Sequence, residues 1–150
     1  MSASQLVIDK LYGDTFIQAW AKGGIMDRDP RRTGADATPD AFERDEMAEI
    51  RPTISVTPAI TTPPLSINAP STAYTDWVDI RVFRAKSSTS MAEVSDILSR
   101  IRVLLHFKPL FKDDVFQGYS QWADDLGPLA SAQFADTIYA ESHVYVTSVF

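Results

Sequence analysis

The sequence predicts an α+β domain: a mainly antiparallel sheet of about four to five strands, two main helices packed on it, and a long loop or hairpin arm. Two segments, near the N-terminus and from about residue 90 to 105, space their apolar residues three and four apart, as amphipathic helices do. Several other segments alternate apolar and polar residues, as strands do. Strands that outnumber long helices in this way are typical of an antiparallel sheet covered by helices, and 150 residues suit a single domain.

The first helix is predicted from about Ala3 to Ala21. Gly13 weakens its middle by about 1 kcal/mol and allows a break there. Gly23-Gly24 supplies the stop, and a short extended piece from Ile25 to Arg28 follows, closed by a proline. The apolar face expected to pack on the sheet consists of Ile8, Leu11, Tyr12, Phe16, Ala19 and Trp20.

The polar stretch 31–49 is predicted to be an excursion over the surface, because it holds too few apolar residues to fill a core. Within it, Thr38-Pro39 has the pattern of an N-cap followed by proline at the first helical position. This pattern predicts a short helix that ends near Ala48.

A strand is expected from Thr53 to Thr57, with Ile54 and Val56 on one face. The stretch 58–75 then contains four prolines, and proline at this density disfavours a central strand. A linker between domains is excluded because neither flank is long or apolar enough to be a domain. Two alternatives remain: a projecting hairpin arm, or a loop that becomes ordered only against a neighbouring molecule.

The segment from Tyr74 to Arg84 is the clearest strand. A capping box of the S-x-x-E kind, Ser90 with Glu93, then predicts the start of a helix that His106-Phe107-Lys108-Pro109 ends. The apolar stripe of this helix is expected to be Met91, Val94, Ile97, Leu98, Ile101, Leu104 and Leu105. Two further strands are predicted, at about 115–122 and 136–150.

The face of the sheet opposite the helices is unusually rich in aromatic residues mixed with charges. Such a composition is typical of interface cores, where aromatic residues and arginine carry much of the binding energy. The alternative is that these aromatics lie beneath the long loop of their own chain. Candidate subunit-interface residues are Trp77, Asp79, Arg81, Phe83, Tyr139, Glu141, His143 and Tyr145 on the strands, Leu65 and Ile67 in the arm, and Phe150 at the end.

The bulk composition excludes several classes. The net charge of −6, from 20 acidic and 14 basic residues, argues against tight nucleic-acid binding. The lack of cysteine rules out a disulfide scaffold, thiol catalysis and thiolate metal sites. We also expect no secretory signal and no membrane-spanning segment, because the chain has neither a basic-then-apolar start nor a long apolar run.

No arrangement typical of catalysis is present, so we expect no catalytic residues, no cofactor and no metal site. None of the common nucleophile, phosphate-loop, dinucleotide or zinc-protease motifs occurs. His106 is interpreted as a helix C-cap, and His143 as a hydrogen-bonded interface histidine rather than a general base. The acidic pairs 113–114 and 124–125 are interpreted as solvated turn residues, and the basic cluster Arg28, Arg31 and Arg32 as a solvated loop.

Three stretches together resemble the tail terminator (tail completion) proteins of long-tailed bacteriophages. They are the glycine-closed helix and short strand at 19–30, the strand at 76–83, and the helix that ends Leu104-Leu105-His106-Phe107-Lys108-Pro109-Leu110 before two closing strands. The resemblance implies a non-enzymatic virion protein, assembled in the host cytoplasm, that forms a hexameric ring on the head-proximal end of the tail tube. The ring would stop polymerisation, contact the major tail tube protein and a head-completion or neck protein, and let DNA pass through its lumen.

Two rival interpretations stay open. The chain could be another neck, connector or tail-tube protein. Ring formation alone would not separate these, but a tube subunit should polymerise into long tubes, whereas a terminator should stay as discrete rings. It could instead be a small ligand-binding protein or enzyme with a pocket between helix and sheet, in which Glu141, His143 and Tyr145 would supply the polar groups.

Overall fold

The structure is a computed structural model, and it describes residues 2–31, 41–62, 73–130 and 137–149. The predicted α+β class is confirmed, but within the described residues the sheet has six strands rather than four to five. The helices are α1 (Ala3–Tyr12), α2 (Thr15–Trp20) and α3 (Ser90–Leu105). The strands are β1 (Ile25–Met26), β2 (Thr53–Thr62), β3 (Ala73–Ala85), β4 (Lys108–Lys112), β5 (Val115–Ala130) and β6 (Thr137–Val149).

The strands lie in the order β1-β2-β3-β6-β5-β4, and the sheet is mixed because β1 pairs with β2 in parallel while all other neighbours are antiparallel. The helices cover one face. Val78, Ile80 and Val82 of β3 are fully buried on that face, as their alternation predicted. Burial of this kind is the main contribution to the stability of the domain.

The N-terminal helix breaks at Gly13, where the sequence allowed a break. Asp14 causes the restart: its Oδ1 accepts hydrogen bonds from the backbone N–H groups of Phe16 and Ile17, which caps α2. The predicted apolar face is wrong at Tyr12, Phe16 and Ala19, which are exposed, whereas Trp20 packs against the core as predicted. Tyr12 and Phe16 are 43% and 55% exposed, and Ile17 is buried instead.

The predicted capping box at the start of α3 is absent. Thr89 is the N-cap and makes no side-chain cap bond, while the Ser90 hydroxyl donates to the carbonyl of Ala85 at 2.5 Å. Glu93 accepts a hydrogen bond from a distant indole instead of capping the helix. Met91, placed in the apolar stripe by its spacing, is 51% exposed.

Strand β4 was not predicted, because the proline and lysine after α3 suggested only a helix stop. It forms a hairpin with β5 through a turn in which Asp113 and Asp114 have φ angles of 50° and 61°. The two acids are thus turn residues, as predicted. The pair Asp124-Asp125 was also predicted to lie in a turn, but both residues lie inside β5. They are opposite His143 and the residue before it in β6.

The predicted short helix is wrong in its described part, residues 41–48. The chain there forms a turn closed by an isolated antiparallel bridge between Arg44 and Ile50. The stretch 31–49 was predicted not to fill a core alone, and its Phe42 joins a small one together with residues outside the stretch. Phe42 and Ile50 are 8% and 2% exposed, and they form a second, small hydrophobic cluster with Phe83 on the face opposite the helices.

Both ends of the Pro-rich stretch belong to a hairpin. Strand β2 continues through Pro58 with a register shift before Ile60, and Thr61 and Thr62 pair with the first part of β3. A proline in a strand at an irregularity removes only one ladder hydrogen bond. The predicted interface residues Leu65 and Ile67 lie outside the described residues, as does Phe150.

Candidate functional site

The eight interface candidates on β3 and β6 form four cross-strand pairs on the face opposite the helices, here called the outer face. The alternation of each strand predicted this shared face. The pairs are Trp77 with Tyr145, Asp79 with His143, Arg81 with Glu141, and Phe83 with Tyr139. Residues directly opposite each other in an antiparallel pair bring their side chains into contact.

The Phe83 end of the outer face is covered by the chain itself. Phe83 is fully buried, with the ring of Phe42 standing edge-on at 5.1 Å between centroids. The guanidinium of Arg31 lies 5.6 Å from the Phe83 ring centroid and 5.3 Å from that of Tyr139. Phe83 therefore has no surface at which a partner could bind. At the Phe83 end of the outer face, the aromatic residues lie beneath a loop of their own chain, which was the alternative to a subunit interface. Arg31 is likewise not a solvated loop residue.

The middle of the outer face is an ionic network centred on Arg81. Its Nη2 lies 2.7 Å from Glu141 Oε1 and 3.3 Å from Asp79 Oδ2, and its Nη1 lies 3.9 Å from Asp29 Oδ2. Asp29 also accepts two-pronged hydrogen bonds from Arg31. Burial favours the neutral acid at Asp29, but the hydrogen bonds and charge of Arg31, with the charge of Arg81, outweigh it and lower its pKa.

His143 lies between two carboxylates at the exposed end of this network. Its Nδ1 is 2.5 Å from Asp124 Oδ1 and its Nε2 is 3.4 Å from Asp79 Oδ1. Asp79, Glu141 and His143 place one ligand atom each within 4.8 Å of one another, a set that could hold a metal ion. Arg81 makes ion pairs with both carboxylates, but its single positive charge offsets only one of their two negative charges.

The same geometry bears on the rival ligand-binding interpretation. Glu141, His143 and Tyr145 point away from the helices, so they cannot line a pocket between helix and sheet. Tyr145 instead packs edge-on against Trp77 at 4.5 Å between ring centroids, and His143 lies 5.4 Å from the same indole. Trp77 and Tyr145 are half-buried and remain the aromatic part of the outer face with surface to offer.

A second surface, which was not predicted from the sequence, lies on the hairpin of β4 and β5. We call residues 107–119 the aromatic hairpin. Its large apolar side chains stand in solvent: Phe107 66% exposed, Phe111 50%, Val115 60%, Phe116 40% and Tyr119 55%. The rings of Phe111, Phe116 and Tyr119 contact one another in series, with centroids 6.1 and 5.0 Å apart. The signal in the sequence was the density of aromatic residues around the acidic turn.

The aromatic hairpin also forms one edge of the described sheet. Strand β4 is last in the strand order, so one side of its backbone has no neighbouring strand within the residues that the structure describes. An exposed edge strand that carries apolar side chains is a site at which chains associate.

A third feature, here called the Trp20 pocket, is a cavity of about 460 Å³ beside the start of α3. Phe16, Trp20 and Pro52 supply its apolar walls, and Arg84 and Glu93 lie at its floor. Glu93 holds the pocket together, because its Oε1 accepts hydrogen bonds from Trp20 Nε1 at 2.7 Å and from Arg84 Nε at 3.2 Å.

No protein-family model matches the chain, and no curated protein matches it. Among the described residues, no helix has the length and hydrophobicity that crossing a membrane requires.

Proposed function

We propose that the chain is a structural virion protein that assembles into a ring. In this proposal the ring caps the head-proximal end of a phage tail tube, stops its polymerisation and joins the tail to a head-completion or neck protein. The proposal combines the resemblance of three sequence stretches to tail terminators with the surfaces described above. It assigns the protein no catalytic role and no cofactor.

The observation that carries the self-assembly part is the aromatic hairpin. Five large apolar side chains, three of them aromatic rings in mutual contact, are between 40% and 66% exposed on an edge of the sheet. A monomeric protein gains nothing from such a patch and risks aggregation, whereas burial against a partner releases its hydration water. Trp77 and Tyr145 on the outer face add a separate half-buried aromatic pair.

The charge of the chain agrees with a DNA passage. With 20 acidic and 14 basic side chains, the protein carries a net charge of −6, which disfavours tight binding of phosphates. DNA would therefore pass through an assembled ring without being held. The half-buried arginines of the outer face add no free charge, since Arg31 and Arg81 are each paired with carboxylates.

Electron microscopy of the purified protein tests the proposal. A tail terminator should form discrete rings of uniform subunit number that do not lengthen as the protein concentration rises. Long tubes would favour the rival assignment as a tail-tube subunit. Single particles of monomer size at every concentration would contradict self-assembly altogether.

A second experiment separates a terminator from other ring-forming neck proteins. Purified rings are mixed with polymerising major tail tube protein of the same phage, and tube lengths are measured. We expect the rings to sit at one end of each tube and to prevent further growth. Rings that form but bind neither tubes nor tube ends would support a different station in the neck.

A further inference from the structure

We infer that the subunits join head to tail by insertion of the aromatic hairpin of one copy into the Trp20 pocket of the next. This inference rests on the proposed function, because it names the contact by which the ring would close. A ring requires two different patches on each subunit that fit each other, since a self-complementary patch gives only a dimer. The occupant of the pocket is therefore a second copy of this chain.

The two patches lie at opposite ends of α3. Glu93, in the first turn of α3, lines the Trp20 pocket. Leu105 is the last residue of α3, and its carbonyl accepts a hydrogen bond at 2.6 Å from Ser120 of β5, the longer strand of the hairpin. Glu93 and Leu105 are 12 residues apart in α3, which separates them by about 18 Å along the helix axis. A contact between them therefore leads from each subunit onward to the next, as a ring requires.

Each patch has an apolar part, although five of the ten residues that line the pocket are charged. Phe111 and Phe116 face each other across the hairpin next to its turn, so they form a compact apolar knob. The pocket of about 460 Å³ is in the range that small-molecule sites occupy, and its apolar walls come from Phe16, Trp20 and Pro52. An aromatic side chain inserted into such a pocket is the usual form of an interface anchor.

Charge complementarity supports the same pairing. The exposed turn of the hairpin carries Asp113 and Asp114, one residue from the knob. Besides the paired Arg84 and Glu93, the lining of the pocket carries two cations, Lys22 and Arg51, and one acid, Asp45, which leaves a net charge of +1. Lys22 is exposed and has no ion pair within the described part of the chain, and Arg51 makes only a long one, 3.6 Å from Glu43. The two acids would thus meet two cations that are poorly paired in the single subunit.

The test uses two variants that each disable one patch. Phe111→Ser/Phe116→Ser removes the knob, and Ala19→Trp fills the pocket from an exposed position in its wall. Each variant alone should be monomeric in sedimentation velocity. An equimolar mixture should form dimers and nothing larger, because each pair then retains one intact knob and one intact pocket.

The control is Ala92→Trp, which makes the same change at an exposed position of α3 that is not part of the pocket lining. It should form rings like those of the wild type. Rings formed equally well by Ala19→Trp, or a mixture that stays monomeric, would overturn the pairing while leaving the proposed function intact. Failure of the wild type to form rings would overturn the proposed function as well.

Cross-linking gives an independent readout, because the native chain has no cysteine. In the double variant Lys22→Cys/Val115→Cys, oxidation should join neighbouring copies and yield a ladder of covalent oligomers that ends at the ring size. The control is Lys22→Cys/Ala92→Cys. The contact would be refuted if this control gave a ladder of equal intensity, or if the test variant gave no ladder although its rings were assembled.

Discussion

Replacement of Phe83 by alanine tests whether the outer face is covered by its own chain at one end. Phe83 is fully buried, stands edge-on to Phe42 at 5.1 Å and lies beneath Arg31 at 5.6 Å. Truncation of a buried phenylalanine costs about 3–5 kcal/mol. Because the overlying segment is irregular and can relax partly into the cavity, we expect a loss of about 3 kcal/mol in the free energy of unfolding. For a domain of this size that corresponds to a fall in Tm of roughly 6–12 °C.

The assay is unfolding in urea, monitored by tryptophan fluorescence. It is best performed in the Phe111→Ser/Phe116→Ser background, because assembly would otherwise add to the apparent stability. Phe107→Ala is the matched control: the same change at a side chain that is 66% exposed should alter stability by less than about 0.5 kcal/mol. A loss below about 1 kcal/mol for Phe83→Ala would refute the second hydrophobic cluster, and the whole outer face would then be available to a partner.

Three further predictions concern the packing around α2 and α3. Gly23→Ala should destabilise the domain by about 1–3 kcal/mol in urea unfolding, because the added Cβ would lie 2.3 Å from the hydroxyl oxygen of the first residue of β2. Gly13→Ala is the control: no atom would lie nearer than 3.4 Å to its added Cβ, so this variant should be neutral or slightly stabilising. Asp14→Asn should lower Tm near pH 7, and this difference should shrink as the pH falls below 3.8. Burial raises the pKa of Asp14, but hydrogen bonds from Arg100 and two backbone N–H groups, with the charge of Arg100, outweigh it and lower the pKa below 3.8, so the contribution is lost as the pH falls through the lowered pKa. A Tm difference that persists unchanged at the acidic pH would contradict this. Glu93→Ala should cost about 1–3 kcal/mol by leaving an indole N–H and a guanidinium without their acceptor, whereas Glu93→Gln, which keeps an acceptor, should cost less.

The sequence predicted the parts of the fold that depend on local periodicity. The alternation in β3 placed Val78, Ile80 and Val82 on the helix face, and the three- and four-residue spacing placed the buried side of α3. The end of α3 at His106 followed from proline chemistry, while at Gly13 the sequence only allowed a break within one predicted helix.

The errors occur where tertiary contacts override local pattern. Glu93 had the spacing of a capping box, but it bonds a tryptophan 73 residues away. Phe42 lies in a stretch too polar to suggest a core, yet it packs on Phe83 because the chain folds back over the outer face. Asp124 follows the pattern of a turn residue, although a long antiparallel pairing with β6 keeps it in a strand. No local rule contains these long-range pairings.

For the candidate site, the sequence identified which residues share the outer face but not which of them remain accessible. The composition of that face suggested a partner for all eight side chains. The structure instead assigns Phe83 to an internal cluster and Arg81 to an ionic network, and it exposes the aromatic hairpin, whose importance depends on β4 being an edge strand. An edge cannot be inferred without the strand order.

The most direct test of self-assembly through the aromatic hairpin is sedimentation velocity of the wild type and of Phe111→Ser/Phe116→Ser over the same range of concentrations. The wild type should shift from subunit to a single larger species of fixed size. The variant, whose two substitutions change half-exposed side chains only, should stay at subunit size with an unchanged circular dichroism spectrum. A variant that assembles as readily as the wild type would show that the aromatic side chains of Phe111 and Phe116 do not form the contact between subunits.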